Sequence, residues 1–507
     1  MKIVIFRVNK KQLVCIYKRI GDMAKTSKTH NGGTQYDHSG EHAVEFFAKA
    51  GSLFTKRKQH YGNEASALEL FQNVWRSGQH EIAMKLLFWL RDPRGGAGNR
   101  SGFRECASWL AQESPEWMIA NAVHIPKYGR YDDLQALYAN DATTHTATTL
   151  WANDIASGNV LASKWADIST DMKLLRAIRK TDKSKFKDIG DVRRYIAKLR
   201  TGVVEVAMSK KDYVGINYSH VPSVAMSRYT KAFLRNDDKR FNDYKVKLVK
   251  AIESGDTSVK VNAGAIFPHD IVRTIKGGGD KTIADAQFAS LPNYMEESLA
   301  RILPIVDTSG SMGCSVSGMI QAIDISLALG FYCSDRVPTD SPFYRKMLEF
   351  SCESNLIDWS KYKTLSEAMA DRRMFKNAVG STNITLALDT LLSFGTMFNA
   401  RKDQMPNCLL IISDMAFNRG STGNSQDTTV VNSALQRWVD AGFDKPQIVY
   451  WNTAGNAGSP EKSRVANVAL VSGFSPTILK SVFSPEDMSP YNVMMDAIKG
   501  YEVVIPQ

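Results

Sequence analysis

The sequence predicts a multidomain protein: an all-α, HEAT-like helical-repeat domain followed by an α/β domain with a doubly wound parallel sheet. From Glu41 to about Ile252, apolar residues recur three and four positions apart, which is typical of helices with one buried face. After Ala300, short apolar runs alternate with helical stretches, which favours a parallel sheet covered by helices. The length of 507 residues also exceeds what one ordinary core contains.

Residues 1–40 are predicted to form a poorly ordered N-terminal extension. The opening stretch, MKIVIFRVNKKQLVCIYKRI, is apolar and basic by turns and lacks the continuous apolar segment of a secretory signal. A second methionine, Met23, opens an ordinary polar N-terminus, so we expect translation to begin there. The alternative for the first 22 residues is an additional edge strand.

Residues 41–290 are predicted to form the helical-repeat domain. Segments such as EHAVEFFAKAGSLF and HEIAMKLLFWLRD have helical periodicity, and short breaks rich in Gly, Pro, Asn or Asp separate them. Helix pairs joined by short connections are typical of α-solenoids. The run Gly277–Gly279 lies on the approach to the second domain.

The excess positive charge lies entirely in the first part of the chain. Residues 1–300 hold 46 Lys and Arg against 32 Asp and Glu, a net charge of +14, whereas residues 301–507 hold 18 against 20, a net charge of −2. A basic domain beside a nearly neutral one indicates a polyanionic partner. His269 is the last of nine histidines, which excludes a His-dependent hydrolase in the C-terminal domain.

The sequence gives no sign of a membrane or an oxidising compartment. No apolar run reaches the roughly 18 residues of a membrane-spanning helix. The six cysteines are scattered and fit neither a disulfide framework nor a zinc site. We therefore expect a cytoplasmic protein with reduced thiols.

Residues 298–507 are predicted to form the α/β domain, with a metal site at the ends of its strands. RILPIVD, LLIISD and QIVYWN have the length of buried strands, and GMIQAIDISLALGFY has that of a helix. In parallel sheets, ligands bind where the strands end. Five oxygen donors fall there or at a helix start: Asp307, Ser309, Ser311, Thr382 and Asp414, with Thr385 as an alternative to Thr382. Such donors suit Mg²⁺, or else Mn²⁺ or Ca²⁺.

The five donors lie in three loops: the DxSxS motif from Asp307 to Ser311, the loop with Thr382 and the loop with Asp414. These loops resemble, residue by residue, the metal-ion-dependent adhesion site of von Willebrand factor A domains. In that family the two serines of DxSxS and the threonine contact the metal, while the aspartates act directly or through water. The rival interpretation is an aspartyl-phosphate enzyme with Asp307 as nucleophile, but such enzymes carry a second carboxylate where this chain has Ser309. The mostly neutral donor set favours binding of an acidic group from a protein partner over catalysis.

A run of cations in the helical domain supplies the candidate RNA-binding residues: Lys173, Arg176, Arg179, Lys180, Lys183, Arg193, Arg194 and Lys198. Positions 176, 179, 180 and 183 are three and four apart, which predicts one helix face. Such a stripe neutralises phosphates; an ordinary solvated helix surface is the alternative. The aromatic residues Tyr195, Tyr229 and Phe233 are expected in the core rather than stacked on bases.

Two further motifs are RDPRGGAGNRSGFRE, from Arg91, and IPKYGRYDDL, from Ile125. The first lacks the Gly-Lys-Ser/Thr ending of a phosphate-binding P-loop and is predicted to be a turn between repeat units. Its arginines at positions 91, 94, 100 and 104 are additional candidate RNA contacts. Asp132 and Asp133, in the second motif, are predicted to cap a helix rather than to form a catalytic pair.

Together with VNAGAIFPHDIV and KLRTGVVEVAMSKKDYVGINYSHVPSVAMSRYTKAFLRND, these motifs resemble the TROVE-type domain of Ro proteins, most closely the bacterial, phage and plant branch. The resemblance covers about residues 40–507. It implies a monomeric helical ring closed by a von Willebrand factor A domain. Single-stranded RNA ends would enter its hole, and small structured RNA would bind its basic outer surface.

We therefore expect a non-catalytic RNA-binding protein with a metal-dependent A domain that closes the ring or recruits a partner. The first alternative is a metal-dependent protein-interaction scaffold that binds no RNA. The second is an enzyme such as a metal-dependent nuclease, which the single metal and the mostly neutral donor set disfavour.

Overall fold

The computed structural model describes residues 26–29, 34–53, 66–295, 301–317, 319–371, 380, 382–418, 430–455, 458–483 and 487–507. The expectation that translation begins at Met23 concerns residues outside this described part. Within it, a helical N-terminal region precedes a C-terminal α/β domain, as the periodicity of the sequence predicts. No helix in the described part combines the length and the apolar composition that a membrane crossing requires.

The helical region contains fifteen described α-helices, most of them joined by short turns. They are α1 (His42–Lys49), α2 (Ala67–Arg76), α3 (His80–Arg91), α4 (Arg100–Glu113), α5 (Pro115–Asn121), α6 (His124–Tyr128), α7 (Asp141–Ala156), α8 (Val160–Trp165), α9 (Met172–Thr181), α10 (Ile189–Leu199), α11 (Val204–Ser209), α12 (Ser223–Asn236), α13 (Asp238–Ser254), α14 (Pro268–Lys276) and α15 (Lys281–Ala289). A 3₁₀ segment, Tyr131–Leu137, follows α6.

Polar side chains fix where these helices begin. Ser66 and Glu69 form a reciprocal capping box at α2, and Asn99, Asn140 and Asp188 accept amide hydrogen bonds at the starts of α4, α7 and α10. The Gly-rich motif forms the predicted turn between α3 and α4. These caps satisfy amides that the helix itself leaves unpaired.

A six-stranded mixed sheet forms the centre of the α/β domain. Its strands are β3 (Ile302–Asp307), β6 (Lys346–Phe350), β7 (Ser354–Asp358), β8 (Cys408–Ser413), β9 (Gln447–Asn452) and β10 (Val468–Ser472). Two antiparallel strand pairs lie outside this sheet: β1 (Thr26–Lys28) with β2 (Thr34–Tyr36), and β4 (Ser315–Ser317) with β5 (Ile320–Gln321). The order is β10-β9-β8-β3-β6-β7. All neighbours are parallel except β6 and β7. The sequence predicts a wholly parallel sheet, so this antiparallel edge is a departure.

Seven described helices accompany the sheet: α16 (Ala322–Asp335), α17 (Leu365–Ala370), α18 (Ile384–Met397), α19 (Val430–Asp440), α20 (Leu479–Phe483), α21 (Pro490–Ile498) and, from the helical region, α1, which packs beside β10. Five of the six strands are buried at nearly every position, which explains their mostly apolar sequences; the exception is the edge strand β7. From β3 the chain runs outwards to β7 and then returns to β8, so the strand order reverses between β3 and β8.

The start of the helical region is fastened to the α/β domain. Ser472 Oγ donates to Phe47 O at 2.7 Å, and Ser52 Oγ donates to Asn452 O at 2.6 Å. Ahead of α1, Tyr36 pairs through its backbone with Ser459. The sequence predicts an extension without fixed structure up to residue 40, but these backbone hydrogen bonds place residues 34–40 against the domain.

The end of the helical region also contacts the α/β domain. Lys276 Nζ, on α14, lies 2.5 Å from Asp324 Oδ1 at the start of α16. Asp285, on α15, accepts hydrogen bonds from the amide and the hydroxyl of Ser366 on α17, at 2.8 and 2.6 Å. The helical region therefore meets the domain at both of its ends.

Candidate functional site

The oxygen-bearing loops predicted at the sheet edge come together in the structure. Asp307 ends β3 and Asp414 directly follows β8, the two strands between which the strand order reverses. Thr382 lies just before Asn383, which caps α18 by accepting a hydrogen bond from Leu386 N. The reversal point of an open α/β sheet is where ligands bind in this architecture.

The hydroxyl groups of the site form a continuous chain. Ser309 Oγ lies 3.1 Å from Ser311 Oγ and accepts a hydrogen bond from Thr382 Oγ1 at 3.0 Å. Asp307 Oδ1 accepts from the Ser309 amide at 2.9 Å. Thr382, rather than Thr385, thus lies against Ser309; the buried hydroxyl of Thr385 has no hydrogen-bond partner within the described part of the chain.

Backbone hydrogen bonds hold the three loops together. Gly310 N donates to Gly380 O at 3.0 Å, and Asn418 N donates to Thr382 O at 2.8 Å. Gly380 has a φ of +141°, and a Cβ there would lie 2.8 Å from Cys352 Sγ, so both the backbone and the space require glycine. The donors are thereby fixed before any ligand binds.

The electrostatics of the site fit a cation. Asp307, Ser309, Thr382 and Asp414 are buried. Burial and the nearby negative charge of Asp414 raise the pKa of Asp307 to about 7, although hydrogen bonds from Ser413 and Ser309 act in the opposite direction. Two buried carboxylates beside three hydroxyls match the hard oxygen donors that a divalent ion takes, with water completing its shell.

Histidine and thiolate ligands do not contribute to such a site. The described residues contain no group of three or more His, Cys, Asp and Glu side chains arranged around one point. The five cysteines in the described part are free thiols. A metal at these loops would therefore depend on the serine and threonine hydroxyls as much as on the two carboxylates.

The second candidate surface is the solvent side of α9 and α10, which we call the cationic face. All eight predicted cations are exposed: Lys173, Arg176, Arg179, Lys180, Lys183, Arg193, Arg194 and Lys198. The prediction that Lys183 shares a helix face with the others is wrong, since α9 ends at Thr181 and Lys183 lies in the following turn. Asp182 fixes that turn by accepting from the amides of Ser184 and Lys185.

Most of the cationic face has no internal counter-charge. Arg194 pairs with Asp191 at 2.6 Å, and Arg193 Nε donates to Ile168 O. By contrast, five members form neither an ion pair nor a side-chain hydrogen bond or ring contact with any described residue: Arg176, Arg179, Lys180, Lys183 and Lys198. Tyr195 is half-buried beneath Lys185, whose Nζ lies 3.8 Å from the ring centroid, and Phe233 is buried, as expected for core aromatics.

The two remaining motifs meet in one network, the arginine–aspartate cluster, whose members are Arg91, Arg100, Arg104, Arg130, Asp132 and Asp133. Arg91 Nε lies 2.6 Å from Asp133 Oδ2, and Arg104 Nε lies 2.7 Å from Asp133 Oδ1. Burial opposes ionisation of Asp133, but the charges of Arg91 and Arg104 outweigh it and lower its pKa. Asp132 and Asp133 are therefore ion-pair partners. Asp133 also caps the 3₁₀ segment, as the sequence predicts, by accepting a hydrogen bond from Arg130 N at 3.0 Å.

Comparison with known families now decides where the chain belongs. Residues 29–137 and 143–300 match the family described as "Domain of unknown function (DUF2828)". The chain belongs to the DUF2828 family. Residues 301–499 match a second family, described as "Domain of unknown function (DUF7788)".

Two individual proteins are similar to this DUF2828 protein. Uncharacterized protein L728 of Acanthamoeba polyphaga mimivirus is 24% identical over 530 aligned residues, covering 94% of this chain and 88% of that protein. The crystal structure of the Deinococcus radiodurans Ro (RSR) protein aligns with a TM-score of 0.39 and 14% identity, over 91% of this chain and 100% of that chain.

In this DUF2828 protein, sequence reasoning missed the role of the arginine–aspartate cluster. Apart from Arg130, the arginines lie 28 to 42 positions from their aspartate partners, as for Arg104 with Asp132 and Arg91 with Asp133. One signal was present: two arginine-rich stretches and an Asp-Asp pair, all next to glycines that allow close approach. This pattern indicates that the arginines pair with the two aspartates.

Proposed function

We propose that this chain is a non-catalytic RNA-binding protein of the Ro type. Its basic helical repeats bind small or single-stranded RNA, and its α/β domain acts as a von Willebrand factor A-type module with one divalent cation. The observation that carries the proposal is the cationic face, where five exposed cations form no ion pair with described residues. The net charge of +14 over residues 1–300 supports the same partner.

Phosphate neutralisation is the chemistry that this face offers. Unpaired Lys and Arg side chains displace the counterions that surround nucleic acid, which makes binding sensitive to salt. With five phosphates neutralised on a single strand, log K falls with log salt at a slope of about −3.5. Because Tyr195 is covered by Lys185, the face offers charge rather than base stacking, and we expect weak sequence preference.

Both ends of the helical region contact the α/β domain, which supports a closed, monomeric ring. Ser472 joins α1 to β10, and Lys276 joins α14 to α16. In this arrangement the α/β domain occupies the gap between the first and last repeats. The cation, Mg²⁺ or else Mn²⁺ or Ca²⁺, would be held by Asp307, Ser309, Ser311, Thr382 and Asp414, with an acidic group of a protein partner as a further ligand.

Charge reversal on the cationic face tests the RNA proposal. The triple variant Arg176→Glu, Arg179→Glu, Lys180→Glu should bind a fluorescein-labelled RNA at least about tenfold more weakly, because three phosphate contacts become repulsive. Fluorescence anisotropy at several salt concentrations, with a single-stranded and a hairpin RNA, measures the loss and the slope.

A matched variant with the same change in net charge serves as the control. Lys361, Lys363 and Lys402 are exposed on the α/β domain, and changing all three to Glu should leave RNA affinity nearly unchanged. Equal loss in both variants, or no binding by the unaltered protein at low salt, would contradict the proposal. Cleavage of the labelled RNA in Mg²⁺ would contradict the absence of catalysis.

A metal-dependent interaction scaffold is the second candidate function, and the hydroxyl chain of the metal loops favours it. Under either function, Mg²⁺ should raise the unfolding midpoint of the unaltered protein but not of Ser309→Ala or Thr382→Ala, because each variant loses one metal ligand. Ser393→Ala, at an exposed serine on α18, is the control and should keep the response. A protein free of RNA that keeps this metal response would leave the scaffold as the function.

A further inference from the structure

The arginine–aspartate cluster gathers three guanidinium groups around a single carboxylate oxygen. Nitrogens of Arg104 and Arg130 lie 3.2 and 2.5 Å from Asp132 Oδ2, and Arg100 also pairs with this oxygen. Three guanidiniums that share one acceptor atom must themselves be close neighbours. Their side chains remain 37%, 31% and 30% exposed for Arg100, Arg104 and Arg130, so each also reaches solvent.

The cluster carries more positive charge than it neutralises. Four arginines face two aspartates within it, which leaves a formal charge of +2. Beneath the surface, Arg91 is buried, and burial together with the charges of Arg100 and Arg130 lowers its pKa despite its bond to Asp133. The formal excess of positive charge is what an anion at the surface would offset.

Each exposed guanidinium has donors to spare. Arg100 uses Nε and one terminal nitrogen on Asp133 and Asp132, and Arg104 does the same with Asp133 and the Asp132 carbonyl. An arginine has five N–H donors, so each retains donors for a further acceptor. The aspartates hold these groups in place, so a ligand would cost little side-chain ordering.

The surroundings extend the cluster towards the cationic face. The Arg130 guanidinium lies 3.6 Å from the centroid of the Trp165 ring on α8. Lys164, beside it, pairs with Glu205 at 3.4 Å. Arg200, just after α10, donates to Ser163 O on α8 at 2.7 Å, so α8 links the cluster with α10.

We propose that Arg100, Arg104 and Arg130 form a binding site for a phosphate monoester, such as the terminal phosphate of an RNA or a mononucleotide. A monoester carries about −1.5 to −2 charge at neutral pH, which matches the formal excess of +2 better than the single charge of an internal diester. Three planar guanidiniums also suit the several oxygens of a terminal phosphoryl group. In its RNA form the inference rests on the proposed function, which supplies the chain that carries the phosphate.

Binding of matched RNA oligonucleotides tests this site. A short RNA with a 5′-phosphate, the same RNA with a 5′-hydroxyl, and the corresponding 3′ pair are compared by competition anisotropy. We expect one phosphorylated end to bind about tenfold more tightly than its hydroxyl counterpart. The preference should disappear in Arg100→Lys, Arg130→Lys, which keeps the charge but loses the planar fork. It should persist in Arg76→Gln, at an exposed arginine on α2 outside the cluster.

Inorganic phosphate and adenosine monophosphate form an arm without RNA. Each should raise the unfolding midpoint of the unaltered protein above chloride at equal ionic strength, and the double Lys variant should lose this rise. If this arm succeeds while all RNAs fail to bind, the site stands and the RNA function falls. Equal binding of phosphorylated and unphosphorylated ends with no midpoint rise, or a preference that survives in the double variant, would overturn the site.

Discussion

Gly129 shows how one residue permits the packing of a charged network. A Cβ at this position would lie 2.8 Å from Asp133 Oδ2, 3.0 Å from Ile125 O and 3.1 Å from Arg91 Cγ. These distances are too short for a side chain, so space requires glycine here. The Asp133 carboxylate, which pairs with three arginines, can approach the backbone this closely only because Gly129 has no side chain.

Gly129→Ala should therefore destabilise the fold. The added methyl group meets a fixed carboxylate and a backbone carbonyl, and overpacking of this kind costs roughly 1–3 kcal/mol. The free energy of unfolding from urea titration measures the loss. Gly202→Ala is the matched control, since a Cβ there meets nothing within 4 Å. Equal stability of the two variants would show that the Asp133 carboxylate can move to accommodate the methyl group at little cost in free energy.

At the scale of single residues, the meeting of the oxygen-bearing loops could be predicted, whereas the individual pairs within the arginine–aspartate cluster could not be assigned. Asp307 and Asp414 each end a short apolar run, and strand ends of a parallel sheet share one edge, so local patterns suffice to bring them together. Arg91 ends α3, whereas Asp133 lies in the 3₁₀ segment after α6. Their pairing depends on how these two segments are oriented relative to each other, which helical periodicity does not give.

At the scale of elements, the chain's last residues form an extended segment held by α5 and α6. The Asn121 side chain donates to Val504 O and accepts from Val504 N, each at 2.8 Å, and Lys127 pairs with Glu502 at 2.7 Å. Tyr501 packs against Tyr128 with ring centroids 4.9 Å apart. This segment is a third contact between the α/β domain and the helical region, beside those at α1 and α14.

Asn121→Ala should release this segment without unfolding the helices. Both hydrogen bonds to Val504 are lost, and at about 1 kcal/mol each the amides near residue 504 should exchange roughly tenfold or more faster with deuterium. Asn242→Ala, at an exposed asparagine on α13, should leave their exchange unchanged. Unaltered protection in Asn121→Ala would mean that Tyr501 and Glu502 hold the segment alone.

Regular elements were predictable where a burial pattern specifies them. QIVYWN matches β9 residue for residue, since a strand buried on both faces has a continuous apolar centre, here Ile448 to Trp451. The antiparallel edge strand β7 was missed because SNLID has exposed positions and lacks such a run. Residues 34–40 were read as an extension because their hydrogen-bond partners, near Ser459, are more than 400 positions away.

At the scale of the whole molecule, the buried apolar residues in the described part of the chain form two separate cores. The larger core is continuous from α1 through the first repeats into the sheet, and it contains Phe88 and Ile411. The smaller core lies among α12, α13 and α15 and contains Phe233, Phe241 and Leu248. Helices α12 and α13 therefore have a hydrophobic core of their own, while the helices that precede them share the core of the α/β domain.

This division into two cores predicts which segments a cavity-forming substitution will destabilise. Phe233→Ala and Phe88→Ala each remove a fully buried ring, at a cost of about 3–5 kcal/mol. Hydrogen exchange read by mass spectrometry should quicken only across about 216–286 in Phe233→Ala. In Phe88→Ala it should quicken in both the first helices and the sheet, because these share one core. Faster exchange throughout the chain in Phe233→Ala would show that the two cores unfold together, as one cooperative unit.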